Sequence, residues 1–253
     1  MTDHCHIHIR NATLAYPSIS YNALTLKEEA FKLLRLGKPT KLLCDVIALK
    51  DINLNIREGE KIGIIGRNGS GKSSLLKAIA GLYPLLSGEI KTAGRIRSMF
   101  ELNLGFEPDA TGRENITYRS LLLGETPKSI NRIEEEIIDF AELGDFIDYP
   151  LRTYSSGMMI RLAFAISTTI SGDIILLDEI LGGGDASFQL KARSRLENMI
   201  NQAKIIMVVS HDMDSIRNIC NRAIYLRNGQ IVLDGKVDTV IMEYMNTINK
   251  PCL

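Results

Sequence analysis

Residues 62–74 read Ile62-Gly63-Ile64-Ile65-Gly66-Arg67-Asn68-Gly69-Ser70-Gly71-Lys72-Ser73-Ser74. The β-branched run at the start predicts a strand. Gly66, Gly71, Lys72 and Ser73 then meet the G-x4-G-K-S spacing of a P-loop. Leu75, Leu76, Ala78, Ile79 and Leu82 follow at helical spacing, and Gly81 suits the helix end. The glycines let consecutive backbone N–H groups curl around phosphate oxygens, and the helix N-terminus adds a positive dipole. Lys72 is placed to reach the β- and γ-phosphates of a nucleotide, and the Ser73 hydroxyl to ligate Mg²⁺. Arg67, Asn68, Gly69, Ser70 and Ser74 complete the loop as candidate nucleotide contacts.

Outward from this unit the chain reads as α/β. Ile174 to Leu177 and Ile205 to Val209 are strands too apolar for one-sided exposure, which implies a parallel sheet covered on both faces. A helix over Phe188 to Ile200 joins them. Residues 225–232 read as a hairpin with an Asn228-Gly229 turn, and Val237 to Asn249 as a terminal helix. A helix-rich stretch from Glu114 to Asp148 is broken at Pro127 and Gly144. With the apolar helix from Met159 to Ile170 it forms an inserted helical subdomain over approximately residues 114–170. Residues from about 17 to 45 form a second insertion around the amphipathic run Leu26 to Leu34, stopped by Gly37 and Pro39. Segment 25–36 suits a surface helix packed on the core, or a docking element for a partner. An interfacial membrane helix fits less well, because the segment is short and mixes Lys with Glu.

The 253 residues include 30 Lys plus Arg against 30 Asp plus Glu. A net charge of zero argues against a general nucleic-acid binder, and 45% hydrophobic content argues against disorder. The four cysteines form no C-x-x-C pair, so neither a zinc module nor a disulfide framework is expected. The N-terminus is not expected to be a secretory leader and no apolar run is long enough to be expected to span a bilayer, so membrane work would pass through a partner. His4, His6 and His8 alternate and would share one strand face. With no carboxylate or Cys expected beside them, they read as an exposed edge and not a metal site.

Three further constellations bear on chemistry. Asp178 and Glu179 end an apolar strand where α/β sheets place ligands. Asp178 would hold Mg²⁺ through water, and Glu179 would orient or deprotonate the attacking water. Tyr154-Ser155-Ser156-Gly157-Met158 precedes an apolar helix, where Ser155 could cap the helix or donate to a phosphate. His211 follows the strand Ile205 to Val209.

The order of these motifs resembles the ATP-binding subunit of an ABC transporter over nearly the whole chain. The family's L-S-G-G-Q signature is matched at Ser155 and Gly157, with Tyr154, Ser156 and Met158 departing from it. The resemblance implies a P-loop NTPase fold of ABC ATPase type: a mostly parallel core sheet, an antiparallel β part and the helical insertion, as one nucleotide-binding domain over residues 1–253. It implies that His211 is the switch histidine contacting the γ-phosphate and the attacking water. It places Gly182-Gly183-Gly184-Asp185 at the D-loop, which touches the opposite subunit, with Asp185 as its acidic residue, and Glu101 where a glutamine usually contacts Mg²⁺. Tyr16 is the candidate to stack on adenine, or else an ordinary strand-end tyrosine, with Tyr21 as the alternative. In the family, ATP sits between Lys72 of one subunit and Ser155 of the other, so one set of motifs implies a homodimer.

Met99 to Phe106 and Thr111-Gly112-Arg113-Glu114-Asn115 look like the branch that exports capsule, lipopolysaccharide O-antigen and teichoic acid. That resemblance implies ATP-driven export of a lipid-linked polysaccharide through a multi-span membrane subunit. The chain would then work peripherally on the cytoplasmic face of the inner membrane, with no nucleic-acid partner. With the sequence ending at Leu253, the carbohydrate-binding domain that some members carry is not expected. Rival readings are an ABC ATPase for another substrate, a soluble mechanical ABC ATPase, a small-molecule kinase and a nucleotide-binding regulator.

Overall fold

The computed structural model describes residues 4–17, 46–100, 105–178 and 185–249. The amphipathic segment 25–36, Tyr21, Glu101, Glu179 and Gly182 to Gly184 lie outside these described residues. Strand β1 (His6–Tyr16) pairs antiparallel with β2 (Val46–Arg57) on one side and β4 (Ser87–Ala93) on the other. A second sheet holds β3 (Lys61–Ile65), β5 (Ile96–Ser98), β6 (Ile174–Asp178), β7 (Ile205–Val209), β8 (Arg222–Arg227) and β9 (Gln230–Gly235). Its order is β5-β6-β7-β3-β8-β9, parallel except for the antiparallel edge strand β9.

The apolar runs of β3, β6 and β7 are explained by two cores, one on each face of that sheet. Successive side chains of a strand point to opposite faces. Ile62, Ile64, Ile174, Leu176, Ile205, Met207 and Val209 face the antiparallel sheet. They pack there on Ile7, Ile9, Leu54 and Ile56, and on Leu75, Leu76 and Ile79 of helix α1 (Lys72–Ile79). Ile65, Ile175, Leu177, Ile206 and Val208 face the other way. That side is covered by α4 (Ser156–Thr169), α5 (Ala186–Gln202), α6 (Met213–Ile219) and α7 (Val237–Asn249). Each fully buried Ile or Leu contributes about 1.5–3 kcal/mol. Gly63 sits on this second face because a Cβ there would lie 2.6 Å from Ile216 Cγ2.

Helices α2 (Gly112–Leu122) and α3 (Pro127–Ala141) stack beside α4. Capping boxes start both: Thr111 with Glu114, and Thr126 with Ser129. Pro127 therefore opens a helix at its first position, where its missing N–H costs nothing. Two short 3-10 turns, Gly144–Asp148 and Leu151–Thr153, lead into α4. Phe140, Phe164 and Phe188 tie α3, α4 and α5 together, with ring centroids 5.9–6.0 Å apart.

Some expectations change. Leu82 does not continue the apolar face of α1: it lies beyond the helix and is 57% exposed. Gly81, the expected helix end, turns the chain with φ 74°, and Leu82 N–H bonds back to the Lys77 carbonyl, so the helix closes before Leu82. Helix α4 begins at Ser156 and not Met159, because the Ser155 hydroxyl accepts from Met158 N–H and caps it. Beside the N-terminal histidines there is a carboxylate after all, with His4 Nδ1 3.9 Å from Glu58. No three metal-ligating side chains converge among the described residues. Asn228 (φ 50°) and Gly229 (φ 75°) make the β8–β9 turn.

Candidate functional site

Parallel strands deliver their carboxyl ends to one edge, and there the loops after β3, β6 and β7 meet. Asp178 stands across from Val209, and Val209 from Ile64. Ile65 runs straight into the P-loop, and His211 follows Val209 by two residues. An open cleft of about 510 Å³ results. Asn68, Gly69, Gly71, Lys72, Ser73 and Ser74 form one wall, with Asp178 and His211 opposite. Phe100, Lys77 and Val209 complete it, and none of these three was named from the sequence as a site residue.

The loop has the build of an anion cradle. At Gly66 (φ 154°) a Cβ would lie 2.3 Å from the Leu226 carbonyl, and at Gly71 (φ 102°) 2.6 Å from the Ala48 carbonyl. The loop is thus seated directly on β8 and β2, with no room for side chains beneath. Gly229 N–H donates to the Ser70 carbonyl at 2.9 Å, so the β8–β9 turn also props the loop. Lys72 is buried, and its ammonium donates to the carbonyls of Gly66 (2.9 Å) and Arg67 (3.2 Å). Those bonds bend the loop around the lysine and hold its charge at the cleft. Helix α1 starts at Gly71 with no side-chain cap and no acidic residue in its first turn, which leaves its N-terminal amides for an anion. Buried Ser70 Oγ lacks a hydrogen-bond partner among the described residues.

These features fit a nucleotide's phosphates. The Ser73 hydroxyl and Asp178 carboxylate share the cleft and are hard oxygen donors of the kind Mg²⁺ takes. Glu101 and Glu179 border this region in sequence, after Phe100 and Asp178, but lie outside the described residues. Tyr16 closes β1 near the loop without lining the cleft. Its hydroxyl donates to Ser74 Oγ at 3.1 Å, and its ring meets Tyr83 edge-on at 5.3 Å.

Ser155, Ser156 and Gly157 line a separate cleft of about 420 Å³ with Met158, Ile160, Arg161 and Asp185. It shares no residue with the P-loop cleft. Ser155 accepts from Met158 N–H at 3.2 Å, and its own O–H remains available to donate. A Cβ on Gly157 would meet only Ser155 Oγ among the described residues, at 3.8 Å, so none of them requires glycine there. Asp185 caps α5 through Phe188 N–H at 2.9 Å and ion-pairs Arg161. The cap, the Ser187 hydroxyl and that guanidinium hold its carboxyl far below the usual range.

The family model for ABC transporters matches residues 49–182, just over half of the chain. This chain belongs to the ABC transporter family. It is 42% identical over 225 residues to the O-antigen export system ATP-binding protein RfbB of Myxococcus xanthus, covering 89% of this chain and 52% of that protein. It is 40% identical over 225 residues to the O-antigen export system ATP-binding protein RfbE of Yersinia enterocolitica, covering 88% and 94%. Against the teichoic acids export ATP-binding protein TagH of Shouchella clausii it is 40% identical over 205 residues, covering 81% and 57%. The chain thus spans about half of the first and third relatives and nearly all of the second. A bacterial ABC transporter cassette solved as a dimer superposes with a TM-score of 0.65 at 25% identity, covering 91% of this chain and 98% of that one. The two sheets and helical layer are those of an ATP-binding cassette. Among its described residues no helix is long and apolar enough to cross a membrane.

Proposed function

We propose that this ABC ATPase powers export of a lipid-linked surface polysaccharide, as a homodimer acting on a multi-span membrane subunit at the cytoplasmic face of the inner membrane. One observation carries the nucleotide part of the reading. Lys72, Ser73, Asp178 and His211 share one cleft, while Ser155 and Gly157 line another. A second copy related by a two-fold axis brings each signature cleft to the other copy's P-loop, so two ATP molecules are enclosed. The polysaccharide part is supported by the similarity to O-antigen and teichoic acid export proteins.

In this reading the whole chain works as one nucleotide-binding domain. The P-loop amides and Lys72 hold the phosphates, and Tyr16 stacks on adenine. Ser73 and Asp178, with Glu101, would hold Mg²⁺, which supplies charge neutralisation on the phosphate oxygens. Glu179 takes the proton of the attacking water, and His211 holds that water and the γ-phosphate in line. Ser155 of the partner subunit donates to the γ-phosphate, and Asp185 stands at the dimer contact. ATP binds the closed dimer better than the open one, and hydrolysis removes that difference.

The test is a pull-down of tagged Glu179→Gln protein from mild-detergent membranes with ATP and Mg²⁺, read by mass spectrometry. Recovery of a multi-span subunit with lipid-linked glycan is the expected result. A soluble dimer alone would sink the exporter assignment. The wild-type chain should release free phosphate without an added acceptor, whereas a small-molecule kinase would need one.

A further inference from the structure

The segment that leads into Ser155 is zipped onto the loop before α2. Leu151 N–H donates to the Ala110 carbonyl at 3.0 Å, Arg152 N–H to Pro108 at 2.9 Å, and Gly112 N–H to Tyr149 at 3.3 Å. Thr111 and Pro150 form an antiparallel bridge, and Arg152 ion-pairs Asp109. Asn115 is fully buried and stiffens the loop, its side-chain amide donating to the carbonyls of Glu107 and Thr111.

Tyr154 closes the zip one residue before Ser155. Its hydroxyl donates to the Phe146 carbonyl at 2.6 Å. Its own N–H donates to Leu151 at 2.9 Å. Gly112 exists here for the tyrosine: a Cβ would fall 2.2 Å from the Tyr154 hydroxyl and 2.9 Å from the Ile147 carbonyl. Main chain and side chain of Tyr154 are therefore both pinned, and the next residue caps α4. A leucine at this position would offer no donor to the Phe146 carbonyl.

We propose that Tyr154 is a positioning residue for Ser155, fixing where the signature hydroxyl and the α4 N-terminus stand when the partner subunit's nucleotide arrives. This rests on the homodimer reading above. Tyr154 contacts no nucleotide itself. It acts by holding Ser155 at one place and one angle, so the second protomer does not bear the ordering cost on closure. Gly112 makes the arrangement possible from the other side, which gives Thr111 to Asn115 a physical task beyond starting α2.

The experiment compares Glu179→Gln protein with and without Tyr154→Phe, following ATP- and Mg²⁺-dependent dimerisation by sedimentation. Losing one hydrogen bond from each of two equivalent signature sites should raise the ATP concentration for half-dimerisation by about fivefold or more. Binding of a fluorescent ATP analogue to dilute monomer should be unchanged, since the P-loop cleft shares nothing with Tyr154. Gly112→Ala, which crowds the same hydroxyl, should reproduce this split. Steady-state turnover of Tyr154→Phe without Glu179→Gln should show the loss in kcat. Equal dimerisation of the two proteins would overturn the proposal. A parallel loss of monomer binding would also overturn it, by making Tyr154 a stability residue only. A Glu179→Gln parent that never dimerised would overturn the homodimer reading and this inference with it.

Discussion

Asp185 caps helix α5 with one carboxylate oxygen and ion-pairs Arg161 of α4 with the other. Arg161 also stacks over the Phe188 ring at 5.2 Å and lies 3.6 Å from Glu142. The helix that carries Ser155 and Gly157 is thereby tied to the loop that enters α5. A shift at one is felt at the other, in a cleft both help to line.

Asp185→Asn separates the two tasks. Asparagine caps as well as aspartate does, so α5 keeps its start. The ion pair is lost. Asp185→Ala loses both and should be the less stable of the two. The carboxyl is held below its ordinary range, so its contribution is present above the unfolded value near pH ~4 and fades as pH falls through the lower folded value. The parent's Tm advantage over Asp185→Asn should therefore be full at pH 7 and shrink towards pH 3. An advantage that grew on acidification would show that the cap and ion pair do not set the shift.

Gly157→Ala should move stability and function in opposite directions. Alanine is favoured over glycine in a helix by about 0.8–1.0 kcal/mol, and the added methyl meets only Ser155 Oγ at an ordinary 3.8 Å. Tm should rise by about 1–4 °C. Turnover should nevertheless fall, because the methyl occupies space the opposite nucleotide needs. Thermal unfolding and phosphate release on one preparation decide it. A variant both more stable and fully active would mean that nothing approaches Gly157.

Tyr16 offers a ring and a hydroxyl, and the two can be told apart. The hydroxyl holds Ser74, and the ring stands edge-on to Tyr83. If the ring also carries adenine, Tyr16→Phe keeps ATP affinity and Tyr16→Ala loses a stacking contact of about 1–3 kcal/mol. Titration with ATP and with inorganic triphosphate checks this, since only the former has a base. An equal loss for both ligands would make Tyr16 a support for α1, and Tyr21→Ala would be the next substitution to titrate.

The P-loop, the buried strands and the strand-end Asp178 were legible because their chemistry is local. Glycine spacing, β-branched runs and a carboxylate after an apolar strand each need only a few adjacent residues. The props beneath the loop were not. Gly229 read only as half of a hairpin turn, and its bond to Ser70 joins residues 159 positions apart. Phe100 and Lys77 reach the cleft through sheet order and helix phase, which no short window contains. Tyr154 looked like a departure from a signature because its partners, Phe146 and Gly112, are brought to it by two 3-10 turns and a bridge. Leu82 was misplaced for the same reason in reverse: helical spacing continued past a glycine whose positive φ ended the helix.

The Tyr154 hydroxyl also leaves an alkaline signature. Burial, with a smaller push from Asp148, raises it to about 12. The unfolded chain titrates near ~10, so the folded state favours the protonated, donating form. Its contribution to stability is fully present below pH ~10 and is lost as pH rises through the folded value. Denaturant melts at pH 9, 10 and 11 should show the parent losing stability faster than Tyr154→Phe, and the gap between them closing. Cys220, pushed up to about 12 by its own burial, is common to both proteins and cancels in the difference. A gap constant over that range would mean that burial does not hold the Tyr154 hydroxyl protonated in the folded chain, against its enclosed place beside Gly112 and the Phe146 carbonyl.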